Sequence, residues 1–159
     1  YVALAFARAF PGRVLGLGLI DSQAAPDASE RKTARYASAA QVASDGATAV
    51  VGMADKLTAD PKFAPFLREI ILRQPPQGLI GGLKAMAERP DATPALAEFH
   101  FPVVLVHGLA DALIPPERSR EMKALIPQAE LVELPGMGHS PMLEAPAETA
   151  RALLKLQGR

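Results

Sequence analysis

Apolar runs alternate with polar segments at both ends of the chain but not in its middle. Residues 14–20 and 102–106 are continuous apolar runs, and residues 131–134, Leu-Val-Glu-Leu, are another candidate strand. Strands of a parallel sheet have this pattern because helices cover both of their faces. Polar residues follow each run, and residues 1–10 and the segment from Pro146 have apolar positions at helical spacing. The two ends of the chain therefore predict strands and helices of one α/β sheet.

The helices at the two ends carry specific expectations about which residues face the core. Near the start, four residues at helical spacing predict one buried stripe: Val2, Phe6, Ala9 and Phe10. The last helix is expected to turn three residues inward: Ala150, Leu153 and Leu154. Gly16 and Gly18 lie inside the first strand, and the third glycine of a dinucleotide fingerprint is missing, so we expect them to permit close helix packing.

The middle of the chain predicts helices only. Helix-like stretches cover residues 28–43, 46–57, 61–73 and 77–88. Prolines mark their breaks, because proline starts or ends a helix instead of continuing it. An insertion this long is not a short connection between two strands. We therefore expect residues 23–98 to form a separate helical layer between two parts of the sheet, residues 1–22 and 99–159.

Composition excludes several classes of function. The 159 residues suffice for one domain, and the 17 Lys plus Arg residues balance the 17 Asp plus Glu residues without a basic stripe. We therefore expect no nucleic-acid partner, and no membrane partner either, since the longest apolar run is too short to span a bilayer. The chain has no cysteine and three scattered histidines, so no metal or cofactor is implied. The absence of disulfides fits a cytoplasmic protein.

The first ten residues, Tyr-Val-Ala-Leu-Ala-Phe-Ala-Arg-Ala-Phe, begin without methionine and have the character of a helix already under way. Chain termini are usually polar and frayed. We therefore expect this chain to be the C-terminal portion of a longer protein. Any targeting signal would then precede Tyr1.

Two candidate catalytic residues follow neighbouring strands of the predicted sheet. Asp111 lies in the loop after residues 102–106, and His139 lies in the loop after residues 131–134. Reactive groups of open α/β sheets collect in loops at the carboxyl ends of the strands. An aspartate that contacts a histidine fixes the tautomer of the ring and stabilises its protonated form. We expect the Asp111 carboxylate to lie within hydrogen-bond reach of a ring nitrogen of His139.

Three segments together resemble the α/β-hydrolase superfamily. Residues 103–115, Val-Val-Leu-Val-His-Gly-Leu-Ala-Asp-Ala-Leu-Ile-Pro, resemble the family's acid loop, and residues 135–146, Pro-Gly-Met-Gly-His-Ser-Pro-Met-Leu-Glu-Ala-Pro, resemble its histidine loop. Residues 1–21 resemble the helix after the nucleophile elbow and the next strand. The matches stand in the family's order. The resemblance implies the C-terminal part of a doubly wound, mostly parallel sheet with a helical cap insertion.

The resemblance also implies an activity, that of an esterase- or lactonase-like serine hydrolase. It would cleave a carboxylic ester or related acyl bond of a small, apolar substrate, with His139 as general base and Asp111 as its orienting acid. The family's nucleophile lies in a G-x-S-x-G elbow. This motif does not occur in the sequence, so the serine is expected about four residues upstream of Tyr1, and residues 1–159 alone are expected to be inactive.

Two alternatives to a serine hydrolase remain open from the sequence. One is an aspartate nucleophile, as in haloalkane dehalogenases and epoxide hydrolases, which the missing elbow would decide. The other is a relative that binds a ligand without catalysis. The presence of both Asp111 and His139 favours an enzyme, because a binding pocket requires neither of them.

Other polar residues have structural interpretations. We expect His107 to shape the acid loop, His100 to be solvated and Glu144 to support the start of the last helix. Ser22 and Ser140 are hydroxyls outside any elbow, so neither is expected to be a nucleophile. A set of apolar residues in the cap is a candidate lining of a substrate pocket: Leu57, Phe63, Phe66, Ile70, Leu79 and Met86.

Overall fold

Three parallel strands form the sheet in a computed structural model that describes residues 1–157. They are β1 (Leu17–Ile20), β2 (Val103–Gly108) and β3 (Glu130–Leu134), and β2 lies in the centre. Leu17 pairs with Val103, and Val104 pairs with Glu130. The predicted parallel sheet is confirmed. β1 starts later than residue 14 because its ladder begins where Leu17 N donates to Pro102 O.

Helices cover both faces of the sheet. They are α1 (Val2–Ala9), α5 (Glu117–Leu125), the short α6 (Pro141–Glu144) and α7 (Pro146–Leu154). One face of the sheet packs against α1 and α5 through residues such as Leu105 and Met122. The opposite face packs against α7 through Val104, Val106 and Ala152. Because both faces are covered, β2 is buried along its whole length, whereas β3 contains Glu130 and Glu133 and is mostly half-buried.

The sequence misjudged which faces of the two terminal helices are buried. In α1 the buried residues are Leu4 and Ala7, whereas Val2 and the two phenylalanines of the predicted stripe are exposed. In α7 the buried residues are Thr149 and Ala152. Of the three predicted residues, Leu153 is half-buried against the sheet, whereas Ala150 is exposed and Leu154 is 58% exposed. Apolar residues surround most of α1, so their spacing cannot select one face.

Glycine in β1 allows α7 to lie close to the sheet, as predicted. A Cβ atom placed on Gly18 would lie 2.6 Å from Leu153 Cδ2, which is closer than real Cβ atoms approach other atoms. Gly16 is also in contact range, since its added Cβ would lie 3.4 Å from Leu156 Cδ2. The contact at Gly18 explains why β1 contains a glycine although glycine weakens a strand interior, whereas Gly16 precedes β1 and its contact is of ordinary length.

Between β1 and β2 the chain forms the helical segment, which we define as residues 23–98. Its α-helices are α2 (Ser29–Asp45), α3 (Ala64–Leu72) and α4 (Pro76–Glu88). Three stretches are 3₁₀ helices: Gly46–Lys56, Pro61–Phe63 and Thr93–Glu98. The helix expected at residues 46–57 is therefore wound more tightly than predicted, and residues 61–73 contain two kinds of helix. No helix within residues 1–157 is long and apolar enough to cross a membrane.

A buried carboxylate joins the start of the helical segment to its end. The Asp27 side chain has no exposed surface and contacts Arg35 Nε in α2. Asp27 Oδ1 also accepts a hydrogen bond of 3.1 Å from Arg89 Nη2, after α4. The same Arg89 atom donates to Ala25 O at 2.7 Å. These contacts hold both ends of the segment beside β1.

Candidate active site

The carboxyl ends of the three strands bring the two predicted catalytic residues together. His139 Nδ1 lies 2.8 Å from Asp111 Oδ2. Asp111 follows β2, and His139 follows β3 in the neighbouring position of the sheet. The expected hydrogen bond between these side chains is confirmed. The Nε2 atom on the opposite side of the imidazole ring takes no part in this hydrogen bond. The His139 side chain is 23% exposed.

The Asp111 carboxylate accepts three hydrogen bonds. Besides His139, the backbone N–H groups of Leu113 and Ile114 donate to Asp111 Oδ1 at 2.7 and 3.1 Å. Burial opposes ionisation of this carboxyl, but the hydrogen bonds from these groups outweigh it and keep the pKa of Asp111 below its ordinary value. Asp111 is therefore a fixed negative charge against the Nδ1 side of the His139 ring.

The loop that carries His139 runs against the end of β2. Ala110 N donates to Met137 O at 2.8 Å, and a Cβ on Gly108 would lie 2.4 Å from that same oxygen. Glycine is therefore required at the end of β2 for the two loops to approach each other. Gly136 has a φ of +76°, which lets the loop turn before His139.

Glu144 does not support the start of the last helix, contrary to the expectation. Its Oε2 accepts hydrogen bonds from Gly138 N at 3.0 Å and Ala59 N at 3.1 Å. The N-terminus of α7 has no side-chain cap. Glu144 instead joins the loop that carries His139 to the helical segment. Sequence spacing could not reveal this role because Ala59 is 85 residues away.

His107 is a buried structural residue, as expected. Its Nε2 lies 2.9 Å from Ile114 O, and its Nδ1 lies 2.5 Å from Ser119 Oγ. A carbonyl oxygen can only accept, so Nε2 carries a hydrogen. The His107 ring thereby holds the acid loop against α5.

Sequence reasoning missed Asp21 as a member of the site. Asp21 follows β1 and is 3% exposed, and its Oδ1 accepts a hydrogen bond of 2.8 Å from Gly108 N. Burial is the largest influence on its pKa and raises it to about 7, and the neighbouring Asp111 carboxylate raises it as well. The available signal was its position, since a polar residue directly after a strand lies at the same edge as Asp111 and His139.

The remaining candidates lie outside this network. Within residues 1–157, no hydrogen bond joins Ser22 or Ser140 to His139, and His100 is exposed as expected. Of the candidate pocket residues, Phe66 and Ile70 are 49% and 40% exposed. The other four, Leu57, Phe63, Leu79 and Met86, are half-buried.

Asp21, His107 and Asp111 are close enough together to raise the question of a metal ion. One ligand atom from each lies within 4.8 Å of the others. However, both ring nitrogens of His107 already contact oxygen atoms, and Asp111 accepts three hydrogen bonds. These contacts leave neither ring nitrogen of His107 free to bind a cation.

Comparison with known proteins identifies a family over nearly the whole chain. The profile described as "Alpha/beta hydrolase family" matches residues 1–152. A thermophilic esterase from Thermogutta terrifontis, solved with malate bound, has a similar structure with a TM-score of 0.93 and 35% sequence identity. That match covers 99% of this chain and 60% of the esterase chain.

Curated relatives match shorter stretches. The pimeloyl-[acyl-carrier protein] methyl ester esterase of Nitrosomonas europaea is 37% identical over 86 residues, which is 52% of this chain and 34% of that protein. Lipase 3 of Moraxella sp. (strain TA144) is 38% identical over 55 residues, or 35% of this chain and 18% of that protein. These matches therefore span about a fifth to a third of the relatives' length.

Proposed function

This chain belongs to the alpha/beta hydrolase family, and we propose that it forms the acid and base portion of an enzyme that hydrolyses carboxylic esters. The observation that carries the proposal is the 2.8 Å contact between His139 Nδ1 and Asp111 Oδ2. It joins a hydrogen-bonded aspartate to a partly exposed imidazole at the carboxyl edge of a parallel sheet, where such sheets place their reactive groups.

The proposed chemistry begins with His139 as general base. Asp111 keeps the hydrogen on Nδ1, so that Nε2 is free to take the proton of a nucleophile's hydroxyl group. The hydroxyl oxygen attacks the ester carbonyl, and the resulting imidazolium is stabilised by the Asp111 charge. His139 then gives that proton to the departing alcohol, which leaves an acyl-enzyme. Water, activated by the same base, releases the carboxylic acid and restores the nucleophile.

We place the nucleophile, a serine in a strand–turn–helix elbow, N-terminal to Tyr1. The support is threefold. The sequence contains no G-x-S-x-G motif, the order of this family is Ser, Asp or Glu, then His, and the similarity to the Thermogutta esterase covers 60% of that protein. The activity therefore belongs to the complete protein that contains these residues.

The substrate class follows from the relatives' names and from the helical segment. Esterases and lipases among the relatives favour a small molecule with an acyl chain. We propose that the helical segment, residues 23–98, is a cap over the two core parts, residues 1–22 and 99–159. Residues 158 and 159 lie outside the residues that the structure describes. The half-buried apolar side chains of the helical segment include Leu57, Phe63, Leu79 and Met86.

The test is ester hydrolysis by the complete protein and two histidine variants. We expect turnover of p-nitrophenyl acetate and butyrate, with release of p-nitrophenol followed by absorbance. His139→Ala should lower kcat by about four orders of magnitude or more, because the general base is lost. His100→Ala is the matched control, since His100 is exposed and away from the strand ends.

A second measurement identifies the nucleophile. A fluorophosphonate should label one serine of the complete protein and abolish hydrolysis, and peptide mapping should locate that serine N-terminal to Tyr1. Normal turnover by His139→Ala would overturn the proposal. Hydrolysis that resists the fluorophosphonate would point instead to an aspartate nucleophile.

A further inference from the structure

Two carboxylates lie side by side at the ends of β1 and β2. One oxygen of Asp21 and one of Asp111 lie within 4.8 Å of each other, and His107 Nε2 lies 3.5 Å from an oxygen of each. Both side chains are 99% or more buried. Two ionised carboxylates cannot share such a site without strong repulsion, so one of them holds a proton.

The hydrogen bonds decide which carboxylate holds the proton. Asp111 accepts three N–H groups, all of which favour its ionised form. Asp21 accepts one, from Gly108 N to Oδ1, and its buried Oδ2 has no partner among the described residues. An Oδ2 that carries a hydrogen has a natural acceptor in the Asp111 carboxylate.

The backbone at Asp21 supports a specific placement of this side chain. Its φ is +44°, in the left-handed region that non-glycine residues rarely adopt, and no other non-glycine residue within 1–157 has a positive φ. Strained conformations of this kind persist where the surrounding structure holds them, often at functional sites. Asp21 N, which donates to Val106 O at 2.9 Å, fixes the turn directly after the strand.

We propose that Asp21 is a positioning residue that stays protonated and donates a hydrogen bond from Oδ2 to Asp111, which keeps the Asp111 carboxylate ionised and directed at His139. This inference rests on the proposed function for its effect on catalysis, but the protonation of Asp21 is independent of it. Asp21 is 3% exposed and lies behind Asp111, so we assign it an effect on catalysis only through Asp111.

The arrangement makes the site sensitive to pH near neutrality. The titratable groups that face Asp21 are His107 from β2, Asp111 from the loop after β2, and His139 from the loop after β3. Burial raises the pKa of Asp21 to about 7. Above that pH Asp21 loses the hydrogen that it donates and repels Asp111, so the support it gives to the acid is lost.

Two substitutions in the complete protein distinguish the effect of the Asp21 proton from the effect of the space that the Asp21 side chain fills. Asp21→Asn keeps an acceptor for Gly108 N and offers an N–H group to Asp111, but does not titrate. Asp21→Gly removes the side chain without backbone strain, because glycine adopts a positive φ freely. Asp45→Asn, at the exposed end of α2, is the matched control.

Two measurements test the protonation without any assay of activity. The infrared spectrum at pH 6 should contain a carboxylic-acid carbonyl band that Asp21→Asn removes and Asp45→Asn retains. Between pH of about 4 and about 7, folded Asp21 keeps a proton that the unfolded chain releases, so the wild type loses stability as pH rises. The Tm of Asp21→Asn relative to the wild type should therefore increase across that window and level off above it.

Kinetics test the effect on Asp111. Asp21→Gly should lower kcat for p-nitrophenyl butyrate by about 10- to 100-fold, the range for a hydrogen bond to a charged group, with KM little changed. Asp21→Asn should lower kcat less. The ratio of wild-type to Asp21→Asn kcat/KM should fall as pH rises through about 7, where Asp21 ionises.

The outcomes separate this inference from the proposed function. If the complete protein hydrolyses no ester, the proposed function fails while the infrared and Tm measurements still decide the protonation of Asp21. If the infrared band is absent and the Tm difference does not change with pH, Asp21 is ionised and the inference is overturned. If the band is present but Asp21→Gly retains wild-type kcat, Asp21 does not position Asp111 and the inference is overturned too.

Discussion

The polar side chains at the carboxyl ends of the strands are buried, whereas several ion pairs of the helical segment are exposed. At the strand ends, the Asp21, His107 and Asp111 side chains are almost completely buried, and each accepts or donates hydrogen bonds within the network. In the helical segment, ion pairs such as Arg68–Asp55 and Arg73–Glu69 have side chains that are 43% to 74% exposed. Exposed pairs of this kind contribute little to stability, whereas buried polar groups require defined partners.

Under the proposed function, Asp111 and His139 at the strand ends perform chemistry, whereas other polar contacts hold the fold together. Polar side chains connect the two regions and close the helical segment. Arg31 Nη2 donates to Leu113 O at 2.6 Å beside Asp111, Glu144 joins residues 59 and 138, and Asp27 joins both ends of the segment. We expect substitutions at the strand ends to affect turnover, and substitutions at these contacts to affect stability.

Among the substitutions that test this comparison, Asp111→Asn in the complete protein is expected to have the largest effect. The asparagine oxygen can still accept from Leu113 N and Ile114 N, but its amide would face His139 Nδ1 as a donor. The ring would then carry its hydrogen on Nε2 and could not act as a base. We expect kcat for p-nitrophenyl butyrate to fall by about three to four orders of magnitude.

The same variant should change stability little, because its backbone contacts remain. Asp91→Asn is the control, since the Asp91 carboxylate accepts from Thr93 N and the residue is exposed. The fraction of folded protein is measured by circular dichroism. If turnover falls only in proportion to the folded fraction, the expectation that strand-end substitutions affect turnover and not stability is wrong.

The strand ends were predictable from the sequence to the extent that local pattern determines them. Non-alternating apolar runs followed by polar loops placed Asp111 and His139 at one edge, because parallel strands end on the same side of a sheet. Asp21 was missed because its contact with Asp111 depends on which strands are neighbours and on a backbone turn with positive φ. Neither is encoded in a short motif.

The sequence predicted that the middle of the chain is helical, but not the type of each helix or the long-range contacts between them. Prolines and apolar spacing located most helices, yet the sequence did not distinguish the 3₁₀ turns at Gly46–Lys56 from an α-helix. The roles of Asp27 and Glu144 depend on residues tens of positions away. Long-range partners of this kind are set by packing and leave no local signal.

A smaller effect, on stability, is expected from Asp27→Ala. This change would leave Arg35 and Arg89 near each other without their shared carboxylate, and their side chains are only 18% and 9% exposed. Removing one partner of a buried ion pair costs about 3–5 kcal/mol. Urea unfolding of the complete protein should show this loss.

Asp55→Ala is the matched control for Asp27→Ala. The Asp55 pair with Arg68 is exposed on both sides, so its removal should cost less than about 1 kcal/mol. Equal losses for the two variants would contradict the view that the helical segment depends on one buried carboxylate instead of its surface ion pairs.

The smallest effect is expected where the two regions meet, at Glu144. Its Oε2 accepts from Gly138 N and Ala59 N, and a carboxylate accepts such bonds more strongly than an amide does. Glu144→Gln keeps the size of the side chain but removes its charge, so the free energy of unfolding should fall by about 1.5–3 kcal/mol. Glu148→Gln, in the first turn of α7, is the matched control and should cost about 1 kcal/mol or less.

Because Gly138 precedes His139, the Glu144 variant should also lower kcat for p-nitrophenyl butyrate by a few-fold, whereas the Glu148 variant should not. Equal losses of stability in the two variants, with kcat unchanged in both, would mean that Glu144 does not couple the helical segment to the loop that carries His139.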